Sequence, residues 1–242
     1  MGEKCFWRAA LSAIRLNIIA EGSTELNFIN KVLKNYLAKY KVYANVKVVL
    51  TSRDNKRHKD YKGGLVSYDK AKNDIITWIK QDNKPDVYFT TMFDYYGLPS
   101  SFPGIKQSSK FNDIYQKIHF IENEFQNDIQ NHIEFTRFIP YIQLHEFEAL
   151  LFSNPQKIIE EYFEYEKQIQ QLIKIKNKFN NNPELINNSI NTAPSKRLIN
   201  LIPEYDKANI GPLIAERIGI EMLMTECSHF DSWINKLIKL SN

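Results

Sequence analysis

The sequence is poor in the residues that build disulfide frameworks and flexible linkers. It contains only 2 cysteines and 8 glycines among 242 residues. Cys5 and Cys227 cannot form a disulfide framework, and they lack the close Cys/His spacing of a zinc site. We therefore expect a reducing, cytoplasmic setting.

Long apolar runs and a signal peptide are also missing. The longest apolar stretch, residues 13–20, is far shorter than a membrane span and is interrupted by Arg15 and Asn17. Residues 1–11 have no continuous apolar segment, so no signal peptide is predicted. A membrane is therefore not an expected partner.

Two common catalytic signatures are absent from the chain. It has neither a Gly-rich phosphate loop nor a Gly-x-Ser-x-Gly motif, so an ATP-binding motif and a serine hydrolase elbow are excluded. Hydrophobic residues make up 43% and aromatic residues 13%, which is enough for a packed core and excludes general disorder. The net charge of +4 is compatible with nucleic-acid binding without proving it.

The first part of the chain alternates between strand and helix patterns. Apolar, β-branched runs predict four strands, at residues 15–20, 42–50, 87–93 and 135–144. Helical spacing predicts helices between them, at about residues 24–37, 68–81 and 112–130. The alternation is typical of an α/β fold with a mostly parallel sheet flanked by helices.

The pattern becomes helical after Pro155. A helix over residues 156–178 is predicted, then an Asn-rich break at 180–182 and several shorter helices. We accordingly divide the chain into an N-terminal extension (1–12), an α/β core (13–154) and a helical C-terminal region (155–242).

Acidic residues follow two of the predicted strands. Glu21 comes directly after the first strand and Asp94 directly after the third. The carboxyl ends of parallel strands meet at one crevice, and Glu25, one helical turn beyond Glu21, would face it as well. Such hard oxygen ligands suit Mg²⁺ or Mn²⁺, and metal ions held this way often serve phosphoryl transfer. The alternative is that these acids only stabilise helix N-termini.

The segment His145-Glu146-Phe147-Glu148 offers a third carboxylate. In extended geometry Glu146 and Glu148 share a face, whereas in a helix they diverge by about 200°. The alternative is a helix start with acids near its positive end and residues 149–152 packed inward. It is not the zinc-protease motif, which needs histidines four residues apart.

Seven segments together resemble a known family. They are EGSTE (21–25), GGLVSYDK (63–70), TTMFDYYGLPSSFPG (90–104), IQLHEFEALLFS (142–153), APSKR (193–197), EYDK (204–207) and IGIEMLMTECSHFDSW (218–233). The EGSTE segment after a strand, with Asp94 after a later one, resembles the Toprim fold of topoisomerases, bacterial primases and OLD-type nucleases. With all seven segments the chain resembles more closely a bacterial Toprim-like family described only as domain of unknown function 4276.

The resemblance implies roles for individual acids. Glu21 would be the Toprim glutamate, a general base or acid or a metal-organising group, and Asp94 the first Toprim aspartate, a metal ligand. The chain departs from the Toprim pattern at Tyr96, which takes the place of the second acid, and Met224 stands where the family has an arginine. A site with one ligand fewer would recruit a glutamate of the HEFE segment or would have lost catalysis. The catalytic residues predicted are Glu21, Asp94 and Glu148, and the metal ligands predicted for Mg²⁺ or Mn²⁺ are Glu21, Glu25, Asp94, Glu146 and Glu148.

Basic residues in two regions are candidates for holding a nucleic-acid backbone. They are Arg53, Lys56 and Arg57 in the polar stretch 51–64 and Lys196, Arg197 and Lys207 in the C-terminal region, with Ser195 and His229 as further phosphate contacts. Lys and Arg at such positions hold phosphates without reading sequence. The alternative is an ordinary solvated, salt-bridged surface.

Three functions remain open on the sequence. The first is a metal-dependent nuclease of Toprim type, which the resemblance to OLD-type systems would set in bacterial defence against phage or plasmids with an ABC-type ATPase as a separate partner chain. The second is a catalytically degraded Toprim module that binds nucleic acid or regulates that ATPase. The third is a phosphatase or nucleotide hydrolase acting on small substrates. DNA and RNA are not distinguished, and a homo-oligomer is left open.

Overall fold

The protein has an α/β fold built on a parallel sheet. The computed structural model describes residues 13–49, 53–54, 59–60, 65, 67–187 and 192–241, with backbone alone for 53–54 and 59–60. The sheet order is β2-β1-β5-β6, and β7 pairs with β5 beyond the end of β6. The strands of the sheet are β1 (Ile14–Ala20), β2 (Val42–Val48), β5 (Val87–Asp94), β6 (Phe138–Ile139) and β7 (Ile142–Gln143), and a separate antiparallel pair is β3 (Arg53–Asp54) with β4 (Lys59–Asp60).

The two central strands are buried along nearly their whole length, although β1 contains Asn17 and β5 contains Thr90 and Thr91 among their buried residues. In β1 six of the seven residues are buried, and β5 shows the same pattern up to its last residue, Asp94. Strand β1 pairs in parallel with both β2 and β5, and Ala20 lies opposite Met92. This register brings the carboxyl ends of β1 and β5 to the same edge of the sheet. The predicted parallel sheet is confirmed.

The predicted strand at residues 135–144 is split into β6 and β7 by Pro140. Proline has no backbone N–H and cannot donate to the ladder. Thr91 of β5 bridges the interruption, because its hydroxyl accepts the Tyr141 N–H at 3.0 Å and donates to the Tyr141 carbonyl at 3.0 Å. The chain therefore reaches His145 still attached to the sheet.

The helices agree with the sequence predictions at some positions and differ at others. Their bounds are α1 (Ser23–Phe28), α2 (Lys34–Ala38), α3 (Tyr68–Gln81), α4 (Ile114–His132), α5 (Glu166–Lys178), α6 (Pro194–Leu201), α7 (Ile210–Ile218), α8 (Ile220–Glu226) and α9 (Ser228–Ile238). A π-helical segment, Ile29–Leu33, joins α1 to α2. The single helix predicted over residues 156–178 is wrong in its first half, which forms short 3₁₀ turns at Pro155–Glu160 and Phe163–Tyr165.

The C-terminal helices share a hydrophobic core with the sheet. Leu16 and Ile18 of β1 belong to the same buried cluster as Leu172 of α5 and Phe230 and Trp233 of α9. A second cluster on the other side of the sheet contains residues of α3 and α4. In the described part of the chain, no helix is both long enough and apolar enough to cross a membrane.

Candidate carboxylate site

Glu21 and Asp94 meet at the carboxyl edge of the sheet, as the sequence predicts. The Glu21 side chain is buried, and its Oε2 accepts the backbone N–H of Asp94 at 2.7 Å. Gly97, in the turn after β5, makes room for this carboxylate: a Cβ placed at Gly97 would lie 2.2 Å from Glu21 Oε1. The turn after β5 is therefore shaped around the Glu21 carboxylate.

Glu25 lies beside these two residues and also caps its own helix. Its Oε2 accepts the Gly22 N–H at 2.9 Å, so one oxygen satisfies a free donor at the start of α1. The alternative that this acid stabilises a helix N-terminus is therefore correct for one of its two oxygens. Glu25 is nevertheless buried against Glu21, and the charge of Glu21 helps to raise its pKa to about 7, after burial as the main cause.

The HEFE segment brings both of its glutamates to one lysine. Glu146 is extended and Glu148 is in the 3₁₀ helix Phe147–Ser153, yet Lys207 Nζ lies 3.5 Å from Glu146 Oε2 and 3.3 Å from Glu148 Oε2. The turn into this segment is made at His145, whose φ is +63°. A positive φ is uncommon outside glycine and is stabilised here by surrounding structure.

Glu146 is held by more groups than Glu148. The Ser195 backbone N–H and hydroxyl, at the start of α6, donate to its two oxygens at 2.5 and 2.9 Å. Glu148 has the Tyr205 hydroxyl 3.4 Å from Oε1, which is a weak contact. Of the two acids, Glu148 is therefore the one with fewer hydrogen-bond donors, and it is also the more buried.

Burial raises the pKa values of Glu21, Glu25, Asp94 and Glu148, and the charges of neighbouring carboxylates add to the rise for Glu25, Asp94 and Glu148. Burial is the main cause for Glu21 and Glu148, each with a pKa of about 7. The pKa of Asp94 is raised well above its ordinary value by burial and then by the charges of the four glutamates at 21, 25, 146 and 148. Burial lowers the pKa of Lys207 and the charges of Glu148 and Glu146 raise it, with a net rise. The five carboxylates thus form one electrostatic unit, the carboxylate cluster.

The carboxylate cluster is suited to a cation but is not closed around one. Five acids face a single lysine, and Oδ1 of Asp94 is inaccessible to solvent with no hydrogen-bond partner. Buried carboxylates normally have a cation or a full set of donors. However, the five acids are not close enough together to share an ion as they stand. Among the described residues, the one group of three whose donor atoms all lie within 4.8 Å of one another contains none of these acids. Like charges repel, so binding an ion requires these side chains to converge.

The basic candidates are distributed unequally around the cluster. Lys207 is in it, whereas Lys196 is exposed on α6. Arg197 donates from Nε to the Thr192 carbonyl at 2.7 Å and lies over the Phe179 ring. Lys56 and Arg57 fall outside the described residues, and for Arg53 only the backbone, in β3, is described.

His229 and Tyr96 are the two remaining residues that the sequence singled out. His229 is only 4% exposed, and its Nε2 contacts Glu122 and the Ile142 carbonyl, so the interpretation of His229 as a phosphate contact is corrected. Tyr96, in the place of the second Toprim acid, packs its ring 5.3 Å from the His145 ring and is partly exposed. It adds no carboxylate to the cluster.

Sequence reasoning missed the residues that shape the site without carrying charge. Gly97 and the Ser195 contact to Glu146 depend on distances between segments far apart in the chain, and no local pattern signals them. It also missed a group beside Ile142 of β7, in which His119, Glu122 and His229 each bring a donor atom within 4.8 Å of the others. The spacing of His119 and Glu122, three residues apart on a helix, was the available signal.

One family model matches the chain. Its description is Domain of unknown function (DUF4276), and it covers residues 20–238. No curated protein and no solved structure matches the sequence. The family description names no activity, so the function has to be argued from the site.

Proposed function

The chain belongs to the family described as Domain of unknown function (DUF4276), and from its carboxylate cluster we propose a metal-dependent phosphodiester hydrolase, a nuclease of Toprim type. The observation that carries the proposal is the gathering of Glu21, Asp94 and Glu148 at one sheet edge with one lysine. When these carboxyl groups are ionised, their negative charge exceeds the single positive charge of Lys207. A divalent cation is the simplest complement to this excess charge.

Mg²⁺ or Mn²⁺ would be held by Asp94 and Glu148, with Glu21, Glu25 and Glu146 around them. When bound, such an ion supplies a polarised water and neutralises charge on the phosphate oxygens. Hard carboxylate oxygens are the donors these ions prefer. The Oδ1 of Asp94, which has no hydrogen-bond partner, and the weak Tyr205 contact to Glu148 support this choice of ligands.

The chain's own residues supply the remaining functions. Glu21 has a pKa of about 7, because it is buried, and can therefore hold or release a proton near neutral pH. The Asp94 N–H orients it through Oε2. Lys207 is 42% exposed at its side chain, so it can place a positive charge on the phosphate while remaining beside Glu148.

The proposed setting is bacterial defence with an ABC-type ATPase as a separate chain, and nucleic acid as substrate. It rests on the resemblance of the EGSTE segment, with Asp94 after a later strand, to Toprim and OLD-type proteins. The chain's lack of a phosphate loop of its own supports a separate energy-supplying partner. We infer a cytoplasmic setting from the two-cysteine composition.

A non-catalytic Toprim module is the second candidate, and a specific observation favours it. Tyr96 takes the place of an acid, and no three carboxylates of the cluster lie within 4.8 Å of one another. In that case the same basic residues would bind nucleic acid, or regulate the ATPase, without cleavage.

The test compares cleavage by the purified chain, with and without the ATPase, on plasmid, single-stranded DNA, total RNA and a nucleotide substrate. Cleavage is expected with Mn²⁺ or Mg²⁺ and is expected to disappear in Asp94→Asn. The matched control is Asp69→Asn, whose carboxylate is 79% exposed on α3. Salt-sensitive binding that survives Asp94→Asn, without cleavage under any condition, would instead establish the non-catalytic module.

A further inference from the structure

A second group of metal-ligand side chains lies away from the carboxylate cluster. His119 and Glu122 are on α4 and His229 is on α9, and one donor atom of each lies within 4.8 Å of the other two. The cluster acids do not belong to this group. The structure therefore brings together two imidazoles and one carboxylate, the donor set of several zinc sites with an open position.

Each oxygen of the Glu122 carboxylate lies close to one of the two imidazoles. Glu122 Oε1 lies 3.1 Å from His229 Nε2, and Glu122 Oε2 lies 3.5 Å from His119 Nδ1. In a tetrahedral site with bonds of about 2.0–2.1 Å, donor atoms lie roughly 3.3 Å apart. The Ile142 carbonyl, 3.1 Å from the same Nε2, adds an oxygen at the same spacing.

The group is already oriented by its neighbours. The Ile142 N–H donates to Glu122 Oε1 at 2.9 Å and fixes that carboxylate. The His229 ring stacks on Tyr141 with an interplanar angle of 18°, and Tyr141 stacks on Trp233 at 4.1 Å. Supporting contacts of this kind hold ligands in place in established metal sites.

The group also has access to solvent. The His119 side chain is 50% exposed, whereas those of Glu122 and His229 are 8% and 3% exposed. An ion could therefore enter past His119 without opening the core. The alternative is a buried hydrogen-bonded ion pair between Glu122 and His229, with His119 as an incidental neighbour.

We propose that His119, Glu122 and His229 form a second metal site, selective for Zn²⁺ or a similar borderline divalent ion, which fastens α9 to α4. Imidazole nitrogen favours such ions over Mg²⁺, so the two sites differ in the metal that they prefer. Binding through His229 Nε2 requires that this nitrogen carry no proton, because a ligating imidazole nitrogen must be deprotonated. The site does not depend on the nuclease proposal.

The test is calorimetric titration of the full chain with Zn²⁺ alone, after treatment with a chelator and in the presence of excess Mg²⁺. About one tight equivalent is expected in the wild type, with an observed enthalpy that changes with the ionisation enthalpy of the buffer because protons are released on binding. His119→Ala should weaken this binding by more than the roughly 10- to 100-fold that loss of a supporting contact costs. Because His119 is half exposed, this variant should still fold.

Two control variants make the result specific. His132→Ala removes an equally exposed histidine of the same helix, whose Nδ1 contacts the Asp128 carbonyl at 2.7 Å, and should bind Zn²⁺ as the wild type does. Asp94→Asn alters the carboxylate cluster and should also retain the tight equivalent. Equal Zn²⁺ affinity in His119→Ala and wild type, or loss of the tight equivalent in Asp94→Asn, would overturn the proposal and leave a hydrogen-bonded ion pair only.

Discussion

At the scale of single residues, replacing Gly97 tests whether cleavage depends on the position of the Glu21 carboxylate. A methyl group there would lie 2.2 Å from Glu21 Oε1 and 2.8 Å from its Cδ, so the carboxylate has to move. Gly97→Ala should lower metal-dependent cleavage by about 100-fold, since misplacements near 1 Å have that effect. The melting temperature should change little.

The measurements are cleavage rate, Mn²⁺ affinity and thermal unfolding, with Ser100→Ala as the control. Ser100 is exposed in the same loop. Full cleavage in Gly97→Ala would mean that Glu21 has no part in the chemistry. A large fall in melting temperature would instead indicate that the turn itself had been disrupted.

The raised pKa values of the cluster give a second prediction at this scale. Burial raises the pKa of Glu148 from 4.5 to about 7, and it raises the pKa of Glu21 to about 7 as well. At a pH between the unfolded and the folded pKa, these carboxyl groups are still protonated in the folded protein but ionised in the unfolded chain. The free energy of unfolding therefore falls as pH rises from about 4.5 to 7. A shift of this size corresponds to at most about 3 kcal/mol for one carboxyl.

Urea unfolding at several pH values in the presence of chelator measures this slope. Glu148→Gln should flatten it, because the uncharged amide has no proton to lose. Glu164→Gln, at an exposed position, should leave it unchanged. Parallel slopes for Glu148→Gln and the wild type would show that burial of this acid costs nothing.

At the scale of elements, Glu184 connects the start of α9 to a distant turn. It is fully buried, and its carboxylate accepts the backbone N–H groups of His229 and Phe230 at 3.0–3.1 Å. These are donors that a helix start leaves unpaired, and the negative charge suits the positive end of the helix. Glu184→Ala should therefore lower the free energy of unfolding by about 1–3 kcal/mol or more.

Chemical denaturation of Glu184→Ala checks this cost, with Glu166→Ala as the control. Glu166 lies in the first turn of α5 but is exposed, so its loss should change stability by about 0.5 kcal/mol or less. Equal stability of the two variants would contradict the capping role. The same denaturation should show whether α9 unfolds separately.

The elements also show where sequence reasoning succeeds and where it stops. Buried strands followed by acids were predictable at β1 and β5, because apolar runs and their ends are local features. The π-helical segment Ile29–Leu33 and the 3₁₀ helix Phe147–Ser153 were not, since their residues have ordinary helical spacing and tertiary packing decides the geometry. The Lys207 contact to Glu148 spans 59 positions of sequence, and only the fold reveals it.

At the scale of the whole molecule, the two hydrophobic clusters enclose one sheet. Trp233 lies in the cluster that β1 shares with the C-terminal helices, and Trp78 of α3 lies in the other. Since β1 contributes Leu16 to the first cluster and Ile19 to the second, neither cluster can dissolve without exposing that strand. We therefore expect the described chain to unfold as one cooperative unit.

Single-tryptophan variants test this expectation. With Trp7 and Trp78 replaced by phenylalanine, fluorescence reports Trp233, and with Trp7 and Trp233 replaced it reports Trp78. In each variant the fluorescence midpoint in urea should coincide with the midpoint from far-ultraviolet circular dichroism, because both clusters depend on β1. An earlier transition of Trp233 would mean that residues 155–242 form a separate domain, and in that case Lys207 would leave the carboxylate cluster before the sheet unfolds.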